Sequence, residues 1–336
     1  MTSLVIQTAF LGDVVLTTPL LEALARRHGP VDVVTTPAAA PLLEPHPAVR
    51  RVIPYDKKRA DRGLGRLIGL SRRLRGERYE AVYLPHRSLR TAAVAWLARI
   101  PRRVGFHDGW PLLYTEVRRR PADGHEIDRL LALAGEPARR QTPPSLTVTV
   151  ADRAAAEHLL GEARVERPFV ALAPGSIWGS KRWPYYAELA ERLAARVAVA
   201  VVGGPEDVEL GEVIVAAVRR SGGQAVNACG TLTLRESAAL LALAAVLVTN
   251  DSAPLHLAQA MGTPTVAIFG PTVPTFGFGP RGPRDQAVGV DGLPCRPCHH
   301  HGPPVCPLSH HLCMKSLRVE DILLALEETG ALHRRD

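Results

Sequence analysis

The chain of 336 residues has little of several things. Aromatic residues make up only 5%, and they form no array on which successive bases could stack, which argues against a single-strand nucleic-acid binder. Lysine is scarce, with only Lys57, Lys58, Lys181 and Lys315 among 41 basic residues, so the positive charge is almost all arginine, suited to forked contacts with phosphate and carboxylate. No apolar run approaches the roughly 20 residues a membrane span requires. The longest, from Ala238 to Val248, is too short, and the opening MTSLVIQTAF has neither a basic flank nor a small-residue cleavage pattern. The expectation is a cytoplasmic chain, peripheral to the inner membrane at most. Gly-x-Gly-x-x-Gly is missing after the first apolar run, where Phe10-Leu11-Gly12-Asp13-Val14-Val15 stands instead, which excludes the usual dinucleotide fingerprint of a nicotinamide oxidoreductase. A Gly-Lys-Ser/Thr phosphate loop is missing as well.

What is present suits two globular domains. The length exceeds one ordinary core, and 46% hydrophobic with 22% charged residues is a normal globular composition. Net charge is +8, which suits either solubility alone or an anionic partner. Short apolar segments alternate with helical periodicity throughout, the pattern of βαβ units and parallel sheets. Strands are expected at 4–10, 31–35, 49–54, 80–84 and 103–106. Helices are expected at 14–27, bent or started late by Pro19, and at 66–76, 91–98 and 123–134. The Pro-containing stretch Ala138–Ser145 reads as a linker. A second copy then follows, with strands at 169–173, 197–202, 225–228, 246–249 and 265–269, helices at 185–196, 209–220, 235–244 and 254–261, and a closing helix at 319–329. This gives an α/β fold of two doubly wound, Rossmann-like domains, 1–145 and 146–316, facing a central cleft, with 317–336 closing the chain.

Five stretches carry chemistry. In Phe10-Leu11-Gly12-Asp13, directly after the first strand, Asp13 fits either a general base or a helix N-cap. In Pro174-Gly175-Ser176 through Lys181-Arg182-Trp183-Pro184, small residues followed by a helix start make an anion site, to which Lys181 and Arg182 add full charges. The alternative there is an ordinary loop with solvated charges. In Asn250-Asp251-Ser252-Ala253-Pro254-Leu255-His256, Asp251 and Ser252 can bond sugar hydroxyls, with the backbone amides after them toward a phosphate, or one of the two is an N-cap, and His256 either faces the cleft or packs in the core. Cys295, Cys298, Cys306 and Cys313, interleaved with His299, His300, His301, His310 and His311, suit a structural zinc, an iron–sulfur cluster or a metal-free Cys-rich loop. Lys57-Lys58-Arg59 with Arg62, Arg66, Arg72, Arg73, Arg75 and Arg78 suits an anionic surface or a solvated helix face.

In that order these motifs, with Phe269-Gly270-Pro271-Thr272, resemble the ADP-heptose:lipopolysaccharide heptosyltransferases over nearly the whole chain. The run Cys306–Met314 is similar to the tail of the members that add the second inner-core heptose. The resemblance implies a GT-B fold with the final helix (317–336) returning to the N-terminal domain, and an inverting transfer with no catalytic metal or other cofactor. It implies Asp13 as general base. Ser176, Lys181, Arg182, Ser252 and Ala253 would lie along the donor diphosphate, and Asp251 and His256 at the donor heptose. The implied donor is ADP-L-glycero-β-D-manno-heptose. The implied acceptor is the anionic heptosyl-Kdo2-lipid A at the inner membrane face, with no nucleic-acid partner. Another nucleotide-sugar glycosyltransferase of the same fold and, further off, a zinc-containing nucleic-acid binding protein are the alternatives.

Overall fold

A computed structural model describes residues 2–57, 59–137 and 142–332. It divides into two compact units, 1–147 and 148–336. In the first, strands β1 (Ser3–Gln7), β2 (Val31–Thr35), β3 (Val49–Pro54), β4 (Ala81–Leu84), β5 (Arg102–Phe106) and β6 (Glu116–Arg118) form one parallel sheet in the order β3-β2-β1-β4-β5-β6. In the second, β7 (Phe169–Ala173), β8 (Ala198–Val201), β9 (Ala225–Asn227), β10 (Val246–Asn250), β11 (Thr265–Ile268) and β12 (Gln286–Val288) repeat that order from the other edge, β12-β11-β10-β7-β8-β9. Both are Rossmann-type sheets, each with one switch point where the strand order reverses, β1/β4 and β7/β10.

The central strands are apolar on both faces because helices cover both. In the second unit Val170, Leu172, Val199, Val201, Val246, Val248, Val266 and Ile268 alternate onto one face, where they meet Leu189 and Leu193 of helix Tyr186–Leu193. In the first, Leu4, Ile6, Val82 and Leu84 meet Leu67, Leu70 and Leu74 of helix Leu64–Gly76. The arginines of that basic helix, Arg66, Arg72, Arg73 and Arg75, are all exposed. Leu67, Leu70 and Leu74 are therefore spent on the core, and the arginine face is left to meet a partner.

Several expectations are refined. The first helix is two, Leu11–Leu16 and Thr18–His28, broken at Thr17, with Pro19 in the opening turn of the second where its missing N–H costs nothing. The linker expectation falls partly on residues 138–141, outside the described residues. Its end is fixed to the first unit: Ser145 N–H donates to Thr18 Oγ1 at 2.9 Å, and the Ser145 hydroxyl bonds Glu22. Helix Val150–Glu162 follows, unread in the sequence because only Asp152, Ala156 and Leu160 are buried along it. The closing helix is Val319–Glu328. Its apolar face is Val319, Ile322, Ala325 and Leu326, and these lie in the core of the second unit with β11, β12 and helix Tyr186–Leu193.

Candidate functional site

Ligands of open parallel sheets bind beyond the strand C-termini at the switch point. In the second unit the two loops there follow β7 and β10, and they carry the second and third sequence motifs. Asn250, the last residue of β10, has no exposed surface and joins them. Its Nδ2 donates to Pro174 O at 2.9 Å, and its Oδ1 accepts from Trp183 N–H at 3.1 Å and from the Tyr186 hydroxyl at 3.3 Å. The sequence reading passed over Asn250. Its signal is a polar residue at the end of an otherwise apolar strand, which must be satisfied if buried.

With the loops joined, Lys181 meets Asp251. Lys181 Nζ lies 2.6 Å from Asp251 Oδ2 and 3.2 Å from Asp251 O. The Thr272 hydroxyl donates to the same Oδ2 at 2.6 Å. The side chains of Lys181 and Asp251 keep only 8% and 11% of their surface in solvent, so the pair is strengthened by its low-dielectric surroundings. Beside it starts helix Ala253–Met261, in whose first turn Pro254 has no N–H and Leu255 N–H donates to Ser252 O at 3.2 Å, so Ala253 N–H is the amide left without an intrahelical acceptor. Ser252, at the N-cap, makes no side-chain cap bond, and its buried Oγ has no partner among the described residues. A donor hydroxyl, an open amide and an ammonium at the positive end of a helix dipole can meet phosphate oxygens.

The other expected residues take different places. Ser176 Oγ accepts from Trp178 N–H at 3.2 Å, and Arg182 Nε donates to Ser176 O at 3.0 Å, so Arg182 shapes the loop's backbone. His256 is buried, with Nδ1 3.1 Å from Gln259 Oε1. Burial lowers its pKa and keeps the ring neutral, behind the Lys181–Asp251 pair and away from solvent. Gly175 is required by close approach: a Cβ there would fall 2.2 Å from Asp207 Oδ2. Asp207, also unread in the sequence, is buried and held by Gly204 N–H at 3.1 Å. Burial raises its pKa, with Glu206 adding to the effect.

Cys295 Sγ lies 3.9 Å from His310 Nε2, and the Cys298 thiol donates to Cys295 O at 2.9 Å. Burial pushes the Cys313 thiol up to about 11, and Cys298, Cys306 and Cys295, all within electrostatic range, add to the effect. Among the described residues no three His, Cys, Asp or Glu side chains are grouped to hold a metal ion.

In the first unit the switch-point loop after β1 carries Asp13, in helix Leu11–Leu16. Phe10, not Asp13, is the N-cap of this helix, and Asp13 stands three residues on. Its Oδ2 accepts from Phe10 N–H at 3.1 Å. Its pKa is nevertheless raised to about 6, chiefly by burial and then by the Glu126 carboxylate, against the pull of Phe10 N–H, Arg120 and Lys57. Glu126 is itself buried, hydrogen-bonded to Arg120 and 3.5 Å from Arg129 Nη1. A carboxylate tuned toward neutrality is suited to accept a proton near pH 7.

Two Rossmann-type units, one with an anion site closed by a Lys–Asp pair and the other with a tuned carboxylate, define a transferase of activated, phosphate-linked groups. Comparison with known proteins gives the particular family. Residues 67–307 match glycosyltransferase family 9 (heptosyltransferase), and the chain belongs to that family and is a glycosyltransferase. It is 32% identical over 299 residues to lipooligosaccharide heptosyltransferase 2 of Haemophilus influenzae, covering 82% of this chain and 85% of that one. It is 30% identical over 308 residues to lipopolysaccharide heptosyltransferase 2 of Salmonella typhimurium, covering 81% and 84%. The structure of E. coli ADP-heptose lipopolysaccharide heptosyltransferase II superposes with a TM-score of 0.79 at 26% identity, covering 99% of this chain and 98% of that one. The GT-B class expected from the sequence therefore stands.

Proposed function

We propose that this glycosyltransferase moves L-glycero-D-manno-heptose, with inversion, from ADP-heptose to heptosyl-Kdo2-lipid A of the lipopolysaccharide inner core. The Lys181–Asp251 pair at the mouth of helix Ala253–Met261 carries this reading. A nucleotide sugar offers a diphosphate and sugar hydroxyls side by side. An ammonium with an open amide answers the first, and a carboxylate answers the second.

In the proposed reaction the acceptor hydroxyl attacks the anomeric carbon while the bond from that carbon to the diphosphate oxygen breaks. The electron pair leaves with ADP, and the hydroxyl proton passes to Asp13. Lys181, the Ser252 hydroxyl and the Ala253 amide meet the charge that grows on the leaving diphosphate, the point at which fixed donors lower the barrier. Asp251, already fixed by Lys181 and Thr272, turns its remaining lone pairs to the heptose hydroxyls. Every charge that develops is met by a protein group in this scheme, which routes no step through a metal.

The acceptor is an anionic amphiphile, so we place the enzyme at the inner face of the cytoplasmic membrane as a peripheral protein. The exposed arginines of helix Leu64–Gly76 support this, and no helix among the described residues is long and apolar enough to cross a membrane. The test is to incubate purified protein with a panel of nucleotide sugars and a heptosyl-Kdo2-lipid A acceptor. Mass spectrometry should show ADP-heptose alone consumed and one heptose added. Asp13→Ala should abolish transfer and leave ADP affinity near normal. Consumption of another nucleotide sugar, or equal loss of both properties in Asp13→Ala, would overturn the assignment.

A further inference from the structure

The Cys and His run lies against the donor site at several independent points. Gly302 packs on the stem of Lys181: with φ at +82°, a Cβ there would stand 3.0 Å from Lys181 Cε and 3.2 Å from Cγ. Two residues back from Lys181, a Cβ on Gly179 would stand 2.7 Å from Pro304 O, so the two backbones touch. Ser180, between them, is held twice. Its hydroxyl donates to Pro303 O, and its carbonyl accepts from His311 Nε2–H at 2.7 Å. The Nε2–H tautomer follows, because a carbonyl can only accept. His311 is held in the left-handed region at φ 54°, uncommon outside glycine, which fixes its ring on this bond.

The same run reaches the other half of the pair. The Arg296 guanidinium donates to the carbonyls of Phe269 at 3.0 Å, Gly270 at 2.8 Å, Val290 at 2.6 Å and Thr272 at 3.3 Å. Cys298 N–H donates to Pro271 O at 2.9 Å. These bonds fix the turn that carries Thr272, whose hydroxyl holds Asp251. The ends of the run return to each other at Cys295 and His310, the closure of a compact surface loop.

We infer that the 296–311 loop is a strap that positions the Lys181–Asp251 pair for the donor, with Gly302 and His311 as its positioning residues. This rests on the function proposed above. The segment braces the donor site through backbone contacts and hydrogen bonds. It acts on donor binding through Lys181.

The experiment measures ADP affinity by calorimetry and both substrate KM values for the full chain. The variants are Gly302→Ala, His311→Ala, His311→Gln and, as a control at the exposed tip of the strap, Val305→Ala. A misplacement of about 1 Å can cost about 100-fold. Gly302→Ala and His311→Ala should therefore raise the ADP Kd and the donor KM by about 10-fold or more. The acceptor KM should stay unchanged. His311→Gln, which restores a donor at the Nε2 position, should recover most of the loss, and Val305→Ala should match wild type. If Gly302→Ala does not fold, Ser180→Ala, which deletes only the bond to Pro303 O, takes its place with the same expectation. Unchanged ADP affinity in Gly302→Ala (or Ser180→Ala) and His311→Ala, or equal losses for donor and acceptor, would overturn the strap. Wild-type protein that binds no ADP would defeat the functional reading itself.

Discussion

Replacing Lys181 by Met removes the ammonium and keeps an apolar stem against Gly302. Two effects follow, and they separate. Lys181 is assigned a charge-assisted hydrogen bond to the donor diphosphate, worth about 1.5–3 kcal/mol. ADP should therefore bind about 10- to 150-fold more weakly. The variant also strands Asp251, whose side chain is only 11% exposed. Breaking one side of a buried pair costs about 3–5 kcal/mol. The lower end applies here, because Thr272 still donates to Asp251 Oδ2. For a unit of this size that lowers the thermal midpoint by about 6–12 °C. The double variant Lys181→Met/Asp251→Asn removes the stranded charge, so it should regain most of the stability and none of the ADP affinity. Calorimetric titration with ADP and scanning calorimetry of wild type, both singles and the double complete the cycle. If Lys181→Met binds ADP like wild type, Lys181 is a structural partner of Asp251 and the diphosphate site lies elsewhere. If the double variant stays as unstable as the single, the pair's burial does not account for the loss.

Three further expectations come from the same geometry. For wild type, kcat/KM should rise with pH through about 6, since Asp13 is protonated and idle below its raised pKa and ionised above it. Asp13→Asn should lose about 100- to 10,000-fold in rate and lose that limb of the pH profile. Asn250→Ala should weaken ADP binding and lower stability by about 1–3 kcal/mol for each buried partner left unpaired. Asn250→Asp should do no better, because a carboxylate cannot donate to Pro174 O, and chemical denaturation with ADP titration reads both. Gly175→Ala should disturb the diphosphate loop by its clash with Asp207. Adding Asp207→Ala should restore ADP affinity, and a double variant as impaired as the single would show that the clash is not the cause.

The parts of this molecule that were legible in sequence are those that depend on local pattern. Apolar runs such as Phe169–Ala173 and Val246–Val248 suit strands covered on both faces, and their alternation with helices points to parallel sheets. Asp13, Lys181 and Asp251 were legible because each stands just past such a strand, where the switch point of the sheet places ligands. The rest depends on packing. Helix Val150–Glu162 went unread because it buries one narrow stripe, and the three-residue edge strands β6 and β12 are half exposed and carry no period to detect. The zinc expectation relied on spacing alone. Spacing cannot show that Arg296, between Cys295 and Cys298, spends its guanidinium on four carbonyls and holds the run to the donor site.

The two carboxylates at the two switch points have the same chemistry and opposite surroundings, and that difference supports the tasks proposed for them. Asp13 is half-buried, has another carboxylate, Glu126, within electrostatic range, and is raised toward neutral pH, which suits a group that must take a proton and release it. Asp251 is pinned by the Lys181 ammonium and the Thr272 hydroxyl on a single oxygen, which suits a group that must accept hydrogen bonds without moving. Exchanging the roles would fail on both sides. A base locked to an ammonium is a weak base, and a sugar-binding carboxylate that protonates near pH 6 would lose an acceptor just when the donor must be held. The division of labour between the units therefore follows from what surrounds each aspartate, since a turn after a parallel strand with an Asp in it is common to both.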